Sequence, residues 1–265
     1  MTTVAPEISR TRQVRSLALG WLAPLATIGI LLVAWHLATK LFDWPIWLVP
    51  SPLDVARSLW VERGLLPRQF WVTLFETLAG FGLAVAIGIP IAVAIAYSRL
   101  LERAIYPILL GLNAVPKIAI APILILWMGF GYGPKIVVTL LLCIFPIVIS
   151  TATGLRSTPA EFVELARSLC ASERQIFRMF RFPSAMPHIF VGLKIGISLA
   201  VIGAVIGEFV GASEGLGWVI LNSGANVNTS LAFAAMVLLS VMSIALFYAL
   251  VALERLLVPW ARHVE

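Results

Sequence analysis

Charged residues are scarce in this chain of 265 residues: Asp, Glu, Lys and Arg together make up 12% of it, against about 25% in ordinary soluble domains. Hydrophobic residues account for 60%, and the mean hydropathy is +0.99. That composition leaves too little polar surface to cover the apolar core of a water-soluble globule, and it also excludes a disordered chain. The sequence therefore predicts an integral membrane protein.

Two further absences narrow the function. With only two cysteines, Cys143 and Cys170, and no cluster at metal-ligand spacing, the chain offers neither a disulfide framework nor a metal site. The G-x-x-x-x-G-K-[ST] loop that cradles nucleotide phosphates is also missing, so any ATP chemistry would belong to a partner, and we expect no cofactor on this chain. The three histidines are scattered along the sequence, which argues against a membrane enzyme.

Long charge-free runs are what the chain has in abundance, at 16–39, 77–98 and 215–253. A helix needs about 20 apolar residues to cross a bilayer. Asparagines interrupt the longest run, and the first run is too long for a cleaved signal peptide. We predict an all-α membrane bundle of six transmembrane helices: 17–39, 71–97, 104–127, 134–152, 187–211 and 230–252.

The distribution of Lys and Arg predicts how the bundle is oriented. If the N-terminus is cytoplasmic, twelve of these residues lie in the inner segments and five, Lys135 among them, lie in the outer ones. Cytoplasmic loops carry the excess of positive charge, so we expect both termini inside. The predicted layout is an N-terminal cytoplasmic segment (1–16), a transmembrane domain (17–252) and a cytoplasmic tail (253–265).

Two soluble segments interrupt the bundle. In the outer one, 40–70, Ser51 and Asp54 predict a capped helix. This helix would lie on the outer membrane surface or contact an external partner. In the inner one, 154–186, capping boxes beginning at Thr158 and Ser172 predict two short amphipathic helices. The sequence leaves room for one turn between them, at Cys170-Ala171, and we expect Pro183 and Pro187 to mark the end of the second helix.

The inner segment resembles the cytoplasmic "EAA" loop of the inner-membrane permeases of binding-protein-dependent ABC importers. That loop runs Glu-Ala-Ala, three residues, Gly, nine residues, an aliphatic residue, one residue, Leu-Pro. The chain keeps the spacing with Glu164-Leu165-Ala166, Cys170, Phe180 and Phe182-Pro183. It departs from the family at Leu165, Cys170 and Phe182, and the missing glycine at position 170 leaves open how the turn is made.

Further stretches resemble one group of these permeases, which imports sulfonates, nitrate and taurine. They are Leu48 to Pro52, Ala121 to Gly131, Ala204 to Val210 and Glu214 to Gly217, and the likeness covers roughly residues 45–255. Asn113 to Lys117 is similar to permeases for thiamine-pyrimidine precursors. The resemblance implies a type I ABC importer permease of the bacterial inner membrane, used as a homodimer with two cytoplasmic ATPase subunits and an external substrate-binding protein.

The substrate implied by the resemblance is a small sulfonate-, taurine- or nitrate-like anion, or alternatively a pyrimidine-type vitamin precursor. A channel or secondary transporter is the alternative class, which paired midplane charges or an inverted repeat would favour. The resemblance places contact with the ATPase on the inner helix pair: Glu161, Glu164, Leu165, Ala166, Leu169, Cys170, Ala171, Phe177 and Pro183.

Ionisable residues inside spans are costly, and they suggest pathway candidates. Lys117, about halfway along its span, either faces the pathway or pairs with a carboxylate or carbonyl. Asn113 and Glu208 are the other pathway candidates, although Glu208, like Glu76, lies near an outer end where a solvated carboxylate is expected. Lys194 is expected to extend its ammonium to the inner surface.

Overall fold

The computed structural model describes the backbone of residues 10–260 and the side chains of residues 26–260. The described residues form helices joined by turns, with no strand among them. The helices are α1 (Arg10–Leu41), α2 (Pro52–Val61), α3 (Leu66–Tyr97), α4 (Arg99–Ala114), α5 (Lys117–Met128), α6 (Tyr132–Arg156), α7 (Ala160–Ser168), α8 (Glu173–Ile176), α9 (Phe182–Gly211), α10 (Leu216–Ala225) and α11 (Thr229–Leu257).

Four of the predicted spans are single helices long enough to cross a bilayer. They correspond to α3, α6, α9 and α11, and the described residues hold a fifth span if α4 and α5 count as one. Span 17–39 lies within α1, but the side chains of its first residues are outside the described part, and the apolar remainder, Ala26–Leu41, is shorter than a span. The all-α membrane bundle is confirmed, whereas the count of six is not.

The span predicted over 104–127 is not one continuous helix, because the chain bends by 95° between α4 and α5. The bend lies at Val115 and Pro116, which both have extended backbone angles. A proline disfavours helical angles in the residue before it and cannot donate a backbone hydrogen bond. The break therefore follows from the sequence at Pro116, while Pro107 and Pro122 remain inside their helices.

The prediction that Pro183 and Pro187 end the second inner helix is wrong. The chain stays helical from Glu173 to Gly211, through a π turn at Phe177–Arg181. The amide of Phe182 donates to the carbonyl of Phe177, five residues back, so the helix is widened just before the prolines. Pro187 has no amide to offer the carbonyl of Pro183, which instead accepts a hydrogen bond of 3.3 Å from Trp260.

Of the three helix starts predicted in the two soluble segments, two have the expected capping box and one does not. Ser51 with Asp54 and Ser172 with Gln175 form the expected capping boxes at α2 and α8. The box predicted at Thr158 is absent, because Pro159 itself is the N-cap of α7 and the Thr158 hydroxyl is buried without a hydrogen-bond partner among the described residues. A proline cap has no side-chain acceptor for the first amides of the helix.

Helix α6 lies at the centre of the bundle, packed against α9 on one side and α3 on the other. Glycines permit this close approach. A Cβ at Gly203 of α9 would lie 2.7 Å from the Cα of Thr139, and one at Gly192 would lie 2.8 Å from the Cβ of Ser150. Small residues at contact points are typical of membrane bundles, where helices associate by close packing. The result is a closely packed unit of the three helices α3, α6 and α9.

Candidate functional site

The corner between α7 and α8 is built on a residue with left-handed backbone angles, Cys170, at φ +58°. The amide of Cys170 donates to the carbonyl of Arg167 at 2.9 Å, and the amide of Ala171 donates to the carbonyl of Ala166 at 3.0 Å. This pair of bonds is the Schellman motif, which ends many helices and usually has glycine at the left-handed position. Cys170 thus keeps the turn of the family's glycine, at a cost of order 1 kcal/mol in backbone strain.

The two short helices form one unit with a buried inner side. Arg167 of α7 donates two hydrogen bonds, of 3.1 and 2.8 Å, to one carboxylate oxygen of Glu173 in α8. Val163, Ala166 and Ile176 are buried in a small cluster to which Ala171 also contributes. Of the predicted contact residues, Ala166 and Ala171 therefore support the corner from within.

The outer side of this unit exposes large apolar side chains. Leu165 is 58% exposed and Leu169 is 74% exposed, and Phe162 lies beside them on α7. Exposed apolar residues at the end of a membrane bundle indicate a contact surface for another molecule. Phe177 does not belong to this surface, because its ring packs against Tyr97 and Phe182.

The two glutamates of α7 differ in their surroundings. Glu161 is exposed in the first turn, where an acid suits the positive end of the helix. Glu164 lines a cavity of about 300 Å³ between α7 and the spans, together with Arg156 and Arg181. Glu164 forms no ion pair with any described residue, whereas Arg156 is paired with Glu102. Glu164 is therefore a carboxylate available to a basic partner at the inner surface.

The bend between α4 and α5 brings two predicted pathway residues together. The ammonium of Lys117 donates to the backbone carbonyl of Asn113 and, at 3.2 Å, to its side-chain oxygen. This carbonyl lies in the last turn of α4, where it has no partner within the helix because of the break at Pro116. Both residues remain solvent-accessible, so the amine caps a helix end and still has a donor to spare.

The outer ends of α3, α6 and α9 hold a buried polar cluster that includes Glu208. Glu208 is 1% exposed, so the expectation of a solvated carboxylate is wrong. Its two oxygens accept hydrogen bonds from the hydroxyl of Thr73 at 2.6 Å and from the amide of Gly217 at 2.5 Å. These donors come from α3 and from the first turn of α10, which Glu208 holds together.

Glu76 and Lys135 complete this cluster. Glu76 is 0% exposed rather than solvated, and it accepts a hydrogen bond of 2.6 Å from Lys135, which is only 5% exposed. Lys135 is thus a buried residue of α6 rather than a cation of an outer loop. Sequence reasoning missed this ion pair, because its members are 59 positions apart. The signal that could have found it is a lysine and a glutamate at the same depth of two neighbouring spans.

The turn at residues 215–217, where α10 begins, is shaped around Glu208. A Cβ at Gly215, where φ is +112°, would overlap the carboxylate of Glu208, and one at Gly217 would lie 2.7 Å from its oxygen. The amide of Gly215 donates to Gln69 at 2.6 Å, and the amide of Leu216 donates to Thr73 at 2.8 Å. Three successive amides of this turn are therefore fixed by side chains of α3 and α9.

Lys194 has a partner that its prediction did not include. Its ammonium pairs with Glu254 of α11 at 2.9 Å. Both side chains are about one-fifth exposed, and the pair joins α9 to α11. Sequence reasoning treated Lys194 alone because the glutamate lies at the edge of a different predicted span.

Curated relatives of known name extend along nearly the whole chain. The formylaminopyrimidine transport permease protein ThiX of Halalkalibacterium halodurans is 35% identical over 91% of this chain and 96% of its own length. The riboflavin transport system permease protein RibX of Chloroflexus aurantiacus is 37% identical over 98% and 97%, respectively. The taurine transport system permease protein TauC of Escherichia coli is 29% identical over 96% and 93%.

A solved structure shows the same fold. The chain matches a crystal structure of the inward-facing MetNI methionine ABC transporter with a TM-score of 0.65 at 23% identity, covering 73% of this chain and 96% of that one. At this identity the likeness concerns the fold of a type I importer permease.

The family model for inner membrane components of binding-protein-dependent transport systems matches residues 84–263. The matched region contains the inner corner, the bend at Pro116 and the outer residues Lys135 and Glu208. Members of the family are permease subunits of ABC transporters rather than enzymes, and partner ATPases hydrolyse the ATP. With more than half of its length matched, the chain belongs to the family of binding-protein-dependent transport system inner membrane components.

Proposed function

We propose that this chain forms the translocation pathway of an ABC importer as a homodimer, with two cytoplasmic ATPase subunits and an external substrate-binding protein. The observation that carries the proposal is the exposed apolar corner of α7 and α8, where Leu165 and Leu169 lie beside the unpaired Glu164. Burying these leucines in an ATPase groove would contribute about 1.5–3 kcal/mol each. The chain itself would bind no cofactor.

Glu164 supplies the polar part of this contact. Its carboxylate is free of ion pairs within the described residues, so a basic group of the ATPase can pair with it without breaking an internal bond. Breaking a hydrogen-bonded ion pair at such an interface costs about 2–5 kcal/mol. Because a homodimer uses the contact twice, its loss acts on both ATPase subunits.

The test of this contact is co-purification of the ATPase and measurement of substrate-stimulated ATP hydrolysis in reconstituted membranes. Glu164→Ala is expected to abolish the stimulation, while binding of the external receptor to the outer face persists. Wild-type stimulation in this variant would contradict the assignment of the inner corner as the coupling site and would leave it as a membrane-surface element.

The orientation proposed for the chain has the inner corner and both termini in the cytoplasm. It rests on the excess of Lys and Arg in the inner segments, an excess that the burial of Lys135 in the outer cluster makes larger. Cysteines introduced at Arg178 should react with impermeant reagents only from the cytoplasmic side, and cysteines at Asn226 only from outside. Reaction of both from one side would overturn this orientation.

The substrate proposed first is a pyrimidine-type vitamin precursor. The relatives named for formylaminopyrimidine and riboflavin are 35% and 37% identical, whereas the taurine permease is 29% identical. The amine of Lys117 is already bonded to Asn113, which leaves donors and an amide for a neutral heterocycle rather than a free cation for an anion.

A sulfonate- or taurine-like anion is the second candidate, favoured by the positive charge of Lys117 at an accessible bend. The ligand that co-purifies with the partner receptor distinguishes the two, and competition of labelled uptake by each compound class confirms it. Competition by taurine or aliphatic sulfonates alone would reject the vitamin precursor.

A further inference from the structure

The outer cluster contains more negative than positive charge. The carboxylates of Glu76 and Glu208 are 0% and 1% exposed, and the only buried cation beside them among the described residues is Lys135. If all three groups are ionised, they leave one uncompensated negative charge inside a membrane-spanning bundle. Such a charge is strongly unfavourable, because neither lipid nor protein interior solvates it as water does.

The hydrogen bonds show where the excess charge would lie. Both oxygens of Glu208 accept hydrogen bonds, from Thr73 and Gly217. On Glu76, Oε1 accepts from Lys135, but Oε2 is buried without any donor among the described residues. Glu208 is the other buried acid of the cluster. A buried carboxylate oxygen beside a second carboxylate has nothing to accept from, whereas a protonated carboxyl oxygen is itself a donor.

We infer that Glu76 and Glu208 together bind one proton, held on Oε2 of Glu76 and donated towards Glu208. With this proton the cluster is neutral: one carboxylate and one ammonium carry opposite charges, and every buried oxygen has a partner. The proton also removes the repulsion between two carboxylates, which is how acidic pairs share a site in other proteins.

Among the described residues, neither a second cation nor a metal site compensates the excess negative charge of Glu76 and Glu208. Lys135 is the one cation that faces it from α6, where its ammonium also lies over the ring of Tyr132 at 5.5 Å. The charged groups nearest in the outer turn, Arg68 and Glu214, neutralise each other at 2.5 Å. A metal cation would need several oxygen ligands and space, but the backbone at Gly215 and Gly217 is closed tightly around the carboxylate of Glu208.

The proton gives the cluster its role as a clamp. Glu208 fixes the first turn of α10 through the amide of Gly217, and Glu76 fixes α6 through Lys135. A proton between the two glutamates links these attachments into one chain of hydrogen bonds across α3, α6 and α9. We assign Glu76 as a positioning residue, because it acts on the turn through Glu208.

The test is infrared spectroscopy of the purified permease complex at neutral pH, in H₂O and D₂O. A buried protonated carboxyl gives a C=O stretching band separate from the carboxylate bands, and the band shifts on deuteration. Wild-type protein is expected to show this band, and Glu76→Gln is expected to lose the intensity of one carboxyl. An amide has nearly the shape of a protonated carboxyl and the same donor, so this variant should assemble and unfold as wild type does.

Two controls keep the inference falsifiable. Glu214→Gln, which alters an exposed glutamate of the same turn, should leave the band unchanged. Replacing sodium by choline should not change the unfolding temperature, since the ligand is a proton. Absence of a deuterium-sensitive carboxyl band in wild-type protein would overturn the inference whatever the variants do. A sodium-dependent unfolding temperature would overturn it in favour of a bound metal cation.

Discussion

The two ends of the helix that runs from Glu173 to Gly211 have opposite surfaces. At the outer end, Glu208 is enclosed by Thr73, the turn before α10 and the buried pair of Glu76 and Lys135. At the inner end, the corner of α7 and α8 presents exposed leucines and an unpaired glutamate. Polar groups are buried at the outer end, whereas apolar side chains are exposed at the inner corner.

The difference teaches that hydrophobicity alone does not locate function in a membrane protein. A buried polar cluster fixes one geometry, because each member has a partner and little space to move. The exposed apolar side chains of the inner corner have no such partner among the described residues, and we propose that the ATPase covers them. Substitutions should therefore affect folding at the outer end and association at the inner end.

Removing the buried cation should have the largest effect. Lys135→Met removes the one buried cation that the described residues place beside Glu76 and Glu208, and it should lower the free energy of unfolding by about 3–5 kcal/mol. Thermal unfolding of the detergent-purified permease measures this loss. Arg68→Gln, which breaks an exposed pair with Glu214, is the matched control and should cost at most about 1 kcal/mol. Equal losses in the two variants would erase the contrast between buried and exposed pairs.

At the inner corner the expected effect is on assembly rather than on folding. Leu169→Asp should weaken binding of the ATPase by at least about 30-fold, as for a contact worth about 2 kcal/mol, because the leucine would be buried only in the complex. Titration of the purified ATPase measures the affinity. Leu256→Asp, which changes an equally exposed leucine of α11, should bind the ATPase as wild type does. An unfolding temperature lowered by Leu169→Asp alone would mean that the corner is part of the core.

At the bend between α4 and α5, the expected effect is on transport rather than on folding or assembly. Lys117→Met should lower uptake about tenfold, equivalent to about 1.4 kcal/mol, while assembly and basal ATP hydrolysis remain. Assembly should survive because the carbonyl of Asn113 lies in an accessible turn, where water can replace the lost donor. Transport assays in vesicles check the first part and co-purification the second. Failure to assemble would assign Lys117 to the structure of the bend alone.

The smallest expected effect concerns the turn of the inner corner. Cys170→Gly should raise the free energy of unfolding by up to about 1 kcal/mol, because glycine adopts left-handed angles without the strain of a side chain. Cys170→Ala keeps a Cβ at the same position and should give no gain. Thermal unfolding of the two variants side by side provides the measurement, and identical shifts would show that φ at this residue is not strained.

Much of the bundle could be predicted because long charge-free runs report local structure. The helices α3, α6, α9 and α11 follow the predicted spans closely, and the spacing of Glu164, Cys170 and Pro183 identified the family. The break at Val115-Pro116 was also legible, since a proline restricts the residue before it. The sequence does not single this break out, because several other prolines in the chain lie inside unbroken helices.

What could not be predicted depends on contacts between distant positions. The pairing of Lys135 with Glu76 and of Lys194 with Glu254 joins residues about 60 positions apart, which no local pattern encodes. The π turn at Phe177–Arg181 is hidden for a different reason: it differs from an α-helix by one residue, and the sequence suggested an end at the prolines instead. The burial of Glu208 depends on the turn at Gly215, whose amides are bonded to side chains of α3 that lie far away in the sequence.

The unbroken path from Glu173 to Gly211 has a mechanical consequence. At 1.5 Å per residue this rod is about 58 Å long, so a tilt of only about 5° about one end displaces the other by about 5 Å. Force applied at the inner corner would reach Glu208 along one continuous helix instead of through a series of loops. The widened turn at Phe177–Arg181 divides this helix into a short arm, which carries the corner, and a long arm, which carries Glu208.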